Sequence, residues 1–116
     1  MYDPNNVFAK VLRGELPCKK IYENEFAMSF HDINPAARVH ALVIPRGEYK
    51  NIMEFTANAS AMEQAGFWDA VTKTAAALDI SDGFRLSSHI GAAGGQTVFH
   101  FHAHMMADDR MAICRL

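Results

Sequence analysis

Residues 98–106 of the chain read Val-Phe-His-Phe-His-Ala-His-Met-Met, so His100, His102 and His104 take every second position and Phe99, Phe101, Ala103 and Met105 fill the positions between. Side chains of a β-strand alternate between its two faces, so this spacing predicts three imidazoles on one surface and a buried apolar set on the other. A neutral imidazole nitrogen is a nucleophile, and a protonated one is an acid that can stabilise charge or protonate a leaving group. Directly before the histidines lies a glycine-rich stretch, Gly91-Ala92-Ala93-Gly94-Gly95, followed by Gln96 and Thr97. Successive backbone N–H groups in such a turn can form an anion-binding concavity, with Gln96 and Thr97 as side-chain donors beside it. An anion cradle next to imidazoles suits attack on a phosphorus centre.

Zinc chemistry is a second use of clustered histidines, but the spacing opposes it. At a rise of about 3.3 Å per residue, the outer two histidines stand about 13 Å apart along a strand, whereas zinc gathers its nitrogens at about 2.1 Å. An ion would need a third ligand from a neighbouring strand, with His40 or His89 the candidates. No metal and no other cofactor is expected.

The elements that must position these residues are legible from period and turn chemistry. Asp3-Pro4 reads as a helix cap with proline at the first helical position, and Val7, Phe8, Val11 and Leu12 form one stripe that ends at Gly14. Residues 21–23 and 26–31 read as two strands joined at Asn24-Glu25. Asn34-Pro35 marks a turn, and residues 39–44 form a strand stopped by Pro45, with His40 on the face of Leu42 and Ile44. His31 should point away from Phe30 and is left out of the site. Residues 60–78 carry a helical pattern through Phe67, Val71, Ala75 and Leu78. Residues 83–90 and 98–106 are extended. Short connections make the strands antiparallel, and the fold class is α+β.

Composition narrows the partners. The 116 residues suffice for one domain, half of them apolar and 21% charged, as in a globular protein. A formal charge of −2 gives no electrostatic reason for a nucleic-acid partner. No apolar run is long enough to cross a bilayer, and the start, Met1-Tyr2-Asp3-Pro4, is not that of a secretory signal, so a cytoplasmic protein with no membrane partner is expected. Cys18 and Cys114 lack a Cys-x-x-Cys spacing and read as free thiols.

The sequence resembles the histidine-triad family, through His100-Phe101-His102-Ala103-His104-Met105-Met106 and through matching stretches 7–17, 30–35, 40–45 and 94–98. These look like its branch of nucleoside phosphoramidate hydrolases. The resemblance implies a five-stranded antiparallel sheet with one short N-terminal and one long helix, continued across a homodimer. It implies that His102 attacks the α-phosphorus of a purine nucleoside 5′-phosphoramidate, an AMP or GMP derivative, and that water resolves the nucleotidyl-histidine. His104 would meet the phosphate and leaving group, with His100 and His40 supporting the nucleophile. Asp32 matches the acceptor for the ribose hydroxyls. Val7, Phe8, Phe30, Ile33 and Leu42 match the base pocket, and Gly95-Gln96-Thr97 the phosphate turn. Two departures stand out. His89-Ile90-Gly91 replaces the branch's Asn-x-Gly, making a neutral nucleotide contact a titratable one, and Ala107-Asp108-Asp109-Arg110 replaces Gly-Gly-Arg. Dinucleoside polyphosphate hydrolysis, or regulatory nucleotide binding with little turnover, are the alternative readings.

Overall fold

The computed structural model describes residues 1–108, so Cys114 and most of the tail lie outside the described residues. Eight elements follow one another: α1 (Val7–Leu12), β1 (Lys20–Glu23), β2 (Ala27–His31), β3 (Val39–Pro45), α2 (Ile52–Asn58), α3 (Ala61–Ala77), β4 (Arg85–Ser87) and β5 (Ala103–Ala107), with a 3₁₀ turn at Ala92–Gly94. The strands form one antiparallel sheet in the order β1-β2-β3-β5-β4. The expected α+β class and five-stranded sheet are thus present.

Alternation divides the sheet into two faces. Ala27, Ala41, Val43, Ala103 and Met105 pack with Phe55 of α2 and Phe67, Ala70, Val71 and Ala75 of α3 in the main core. Met28, Phe30, Leu42 and Ile44 turn the other way and pack with Phe8 of α1. The histidine face is this second face. Leu42 pairs with His104, and His40 pairs with Met106.

The long helix begins where its sequence says. Ser60 accepts from the Glu63 N–H while the Glu63 carboxylate takes the Ser60 N–H, a reciprocal cap that satisfies two otherwise unpaired donors. Its middle is clasped to the hairpin. The Asn24 side chain accepts from the N–H groups of Phe26 and Ala27 and donates to the Gly66 carbonyl at 2.9 Å. A Cβ on Gly66 would stand 2.4 Å from Phe26 Cδ2 and 2.9 Å from its Cβ. Alanine in mid-helix gains about 1 kcal/mol over glycine, but overpacking costs about 1–3 kcal/mol. The clash involves the root of the ring and cannot be relieved by a tip rotation. Gly66→Ala is therefore expected to destabilise the fold by about 1–2 kcal/mol, read as a lower urea midpoint.

Three local expectations are corrected. Asp3-Pro4 forms a turn, and the helix cap is Asn6, whose side chain accepts the Ala9 N–H at 2.9 Å. The stretch 83–90 is a strand only at Arg85–Ser87, and the stretch 98–106 only at Ala103–Ala107. In place of ladder bonds, residues 96–101 are strapped to the loop after β3: the Phe101 N–H donates to the Tyr49 carbonyl at 2.7 Å, and Gln96 donates to the Lys50 carbonyl at 2.6 Å. Helix α2 was not read from sequence, although Asn51 caps it by accepting the Glu54 N–H. At seven residues it is too short to show a period.

Candidate active site

Each triad ring has a hydrogen-bond partner that fixes its tautomer, because a carbonyl oxygen can only accept and a backbone N–H can only donate. His102 Nδ1 lies 2.7 Å from the His100 carbonyl, so Nδ1 carries the proton and Nε2 is left with its lone pair. His100 Nε2 donates to the Pro45 carbonyl at 2.8 Å, so its Nδ1 is an acceptor, filled by the Tyr2 hydroxyl at 2.5 Å. The Ala36 N–H donates to His40 Nδ1 at 2.9 Å, which leaves the His40 proton on Nε2. That Nε2–H faces His104 Nδ1 at 3.0 Å, and the His104 proton is thereby placed on its own Nε2. The site thus offers a bare imidazole nitrogen on His102 and an N–H on His104, in rings whose centroids are 5.1 Å apart.

Of the three histidines only His104 belongs to β5, and its ring lies nearer to that of His102 than the roughly 6.6 Å two-residue rise of a strand. Phe8 sets its edge against His102, with centroids 4.9 Å apart, and also faces His100 at 6.4 Å. Phe8, Phe30 and Leu42 form the apolar floor beside them. His89 leaves β4 in a loop and lays its exposed ring against His104 at 5.0 Å, tilted by 33°. Asp32 divides its carboxylate: one oxygen accepts the Asn34 N–H at 2.8 Å and closes the turn, while the other lies 3.4 Å from His40 Nε2.

The remaining candidates sit differently. Val7 and Ile33 are exposed, Ile33 at 91%. Gly95 and Thr97 are exposed in the turn, and Gly95 holds a φ of +80° that suits glycine alone. Gln96 is buried, with Oε1 taking the Gly91 N–H and the amide nitrogen donating to the Lys50 and Val98 carbonyls. The N–H groups of Gly94, Gly95 and Gln96 likewise donate within the turn. The outward cradle expected from the glycine run is therefore a closed bracket, and Gln96 shapes it from inside.

Burial lowers the proton affinity of all three triad rings. His100 is held down to about 4 by burial, with His102 adding to the effect and the Pro45 carbonyl opposing it. His104 is lowered to about 4, first by burial and then by His102, His40 and His89, against Asp32. Burial also lowers His102, opposed chiefly by the His100 carbonyl. A neutral His102 is a competent nucleophile at neutral pH.

This has a cost in acid. The unfolded chain binds a proton at His100 near 6.5 and the folded ring refuses it until about 4, so the stability it lends is fully present above 6.5 and lost as pH falls towards 4. That separation corresponds to about 3 kcal/mol, and His104, more open to solvent, adds less. Urea unfolding is expected to show this slope between pH 6.5 and 4 in the native chain and a flatter one in His100→Gln.

Asp32, His40 and His104 also form a set whose ligand atoms lie within 4.8 Å of one another, so the third donor beside the two histidines is Asp32 rather than His89. Both nitrogens of His40 are already engaged, Nδ1 by the Ala36 N–H and Nε2–H by His104. An ion would have to displace that arrangement. Among the described residues no helix is long and apolar enough to cross a membrane.

Known proteins share this arrangement of chain. An uncharacterized 13.2 kDa HIT-like protein of Azospirillum brasilense is 48% identical over 111 residues, covering 95% of this chain and 91% of that one. The structure of a HIT family hydrolase from Clostridium thermocellum matches with a TM-score of 0.86 at 39% identity over 97% of each chain. A histidine triad protein from Clostridium difficile matches with a TM-score of 0.83 at 28% identity, covering 99% of this chain and 100% of that one. With the HIT domain model matching residues 13–111 as well, the chain belongs to the HIT family.

Proposed function

We propose that this protein hydrolyses purine nucleoside 5′-phosphoramidates through a nucleotidyl intermediate on His102. The observation that carries the reading is the His102–His100 carbonyl bond, which leaves Nε2 unprotonated and aimed by a rigid backbone group. In this reading the base lies against Phe8, Phe30 and Leu42, with the exposed Val7 and Ile33 closing over it. Asp32 receives the ribose hydroxyls, and the α-phosphate meets His89, His104 and the exposed Thr97, with Gly95 and Gln96 shaping the turn that presents Thr97.

His102 Nε2 forms a bond to the α-phosphorus as the P–N bond breaks, and the departing nitrogen takes the electron pair and one proton delivered at His104 Nε2. The incoming phosphate's negative charge favours the protonated His104 that this step uses, and its Nδ1–H turns the His40 Nε2–H over to the Asp32 carboxylate 3.4 Å away. Water then attacks phosphorus, its proton returns to His104 Nε2, and the P–Nε2 bond breaks to restore neutral His102.

The protein acts as a homodimer in this reading, supported by the exposed Leu86 on edge strand β4 and the exposed Trp68 on α3. The test of the chemistry is mass spectrometry of protein mixed briefly with adenosine 5′-phosphoramidate and quenched. A covalent adenylyl adduct on His102 is expected. Nucleotide binding without adduct or turnover would replace this reading with regulatory binding, and turnover of a diadenosine polyphosphate alone would assign a different leaving group.

A further inference from the structure

The N-terminal arm reaches the site from 98 residues away in sequence, through a single side chain. Tyr2 places its hydroxyl on His100 Nδ1 and its ring edge-on to the His100 ring, with centroids 5.6 Å apart and planes at 65°. His100 is fully buried, so without that donor its Nδ1 would be a lone pair in an apolar setting. The His100 tautomer has two determinants, the Pro45 carbonyl on one nitrogen and Tyr2 on the other. The same residue's carbonyl takes the His102 Nδ1 proton. The ring, held at both nitrogens, anchors the His100 Cα, and that same backbone carries the carbonyl that aims His102.

We propose that Tyr2 is a positioning residue of this site: its hydroxyl locks the His100 ring, and through the His100 carbonyl it holds His102 with Nε2 bare and aligned. Tyr2 touches neither His102 nor the reacting atoms in this account. Burial raises the Tyr2 hydroxyl above the usual phenol range, so it stays a donor at working pH. The arm is itself anchored, because the Asn6 side chain that caps α1 also donates to the Asp3 carbonyl at 2.7 Å. Phe8, six residues on, rests against both His100 and His102.

The inference rests on the proposed chemistry for its kinetic arm and on spectroscopy for its other. The experiment is Tyr2→Phe in the full chain, which keeps the ring and removes only the hydroxyl. The rate of adduct formation with adenosine 5′-phosphoramidate is expected to fall about tenfold with KM within about twofold, the size of effect seen when supporting contacts of a functional residue are lost. Imidazole ¹⁵N spectra are expected to show the His100 Nδ1 resonance moving towards that of a nitrogen without a donor, and a mixed tautomer at His102. An unchanged adduct rate, or an unchanged His102 tautomer, in a variant that melts like the native chain overturns the inference. If the variant folds poorly, the native spectrum decides: a His100 Nδ1 resonance typical of an unbonded nitrogen overturns it, and a hydrogen-bonded one supports it. Native protein that forms no adduct rejects the proposed chemistry alone, and the His102 tautomer in the two proteins then decides the role of Tyr2.

Discussion

His102→Ala is expected to abolish the adenylyl adduct and to lower turnover by about 10⁴-fold or more, because the residue supplies the only bond-forming atom in the proposed route. Its structural cost is small by comparison. Among the described residues the ring makes one hydrogen bond, to the His100 carbonyl, and rests on Phe8, so truncation should cost on the order of 1–3 kcal/mol and leave a folded chain. Circular dichroism and melting measured alongside the quenched-flow assay separate the two effects. Residual turnover near the native rate would move the nucleophile elsewhere, and an adduct that persists in the variant would identify which ring carries it.

The residue between the two histidines gives the largest effect on stability. Phe101 is 1% exposed and packs against Phe55 and Phe67 with centroids 5.0 and 4.9 Å away. Removing a buried phenylalanine costs about 3–5 kcal/mol, so Phe101→Ala is expected to lower the melting temperature by on the order of 15 °C. Its N–H donates to the Tyr49 carbonyl, and its neighbours are His100 and His102. Relaxation of the cavity therefore displaces the triad directly, and the proposed activity should fall even at temperatures where the variant is folded. Phe67→Ala opens a comparable cavity from the helix side and is the control: equal destabilisation with a smaller loss of rate separates displacement of the triad from loss of stability.

These two residues illustrate what the sequence discloses. Alternation at positions 100–105 announces a two-faced segment, with Phe101, Ala103 and Met105 buried away from the histidines, but the expectation fails at Phe99, which precedes the strand and is 42% exposed. The long helix was legible over 60–78 because Phe67, Val71, Ala75 and Leu78 keep a helical spacing, and the reciprocal Ser60–Glu63 cap agrees with that start. Signals fail where the partner is remote or is backbone. No pattern in the sequence pairs Tyr2 with His100, or assigns the Ala36 N–H to His40, yet those contacts set the tautomers. The glycine turn differs from its reading for a related reason: composition reveals that amides are available but not which way they point, and here those of Gly91, Gly94, Gly95 and Gln96 are bonded within the turn. Asp32 closes a local turn with one oxygen and sets the other beside His40, a contact that no local pattern announces.

The order of strands has a consequence for how the protein is made. β5 is the last strand among the described residues and lies between β3 and β4, so a polypeptide growing from its N-terminus has both halves of the sheet before it has the piece that joins them. Until residues 103–107 emerge, β3 presents an unpaired edge next to apolar Leu42 and Val43, the kind of surface that recruits foreign strands. The segment that closes this edge is also the one that delivers His104, so a prematurely terminated chain lacks a continuous sheet and a complete triad together.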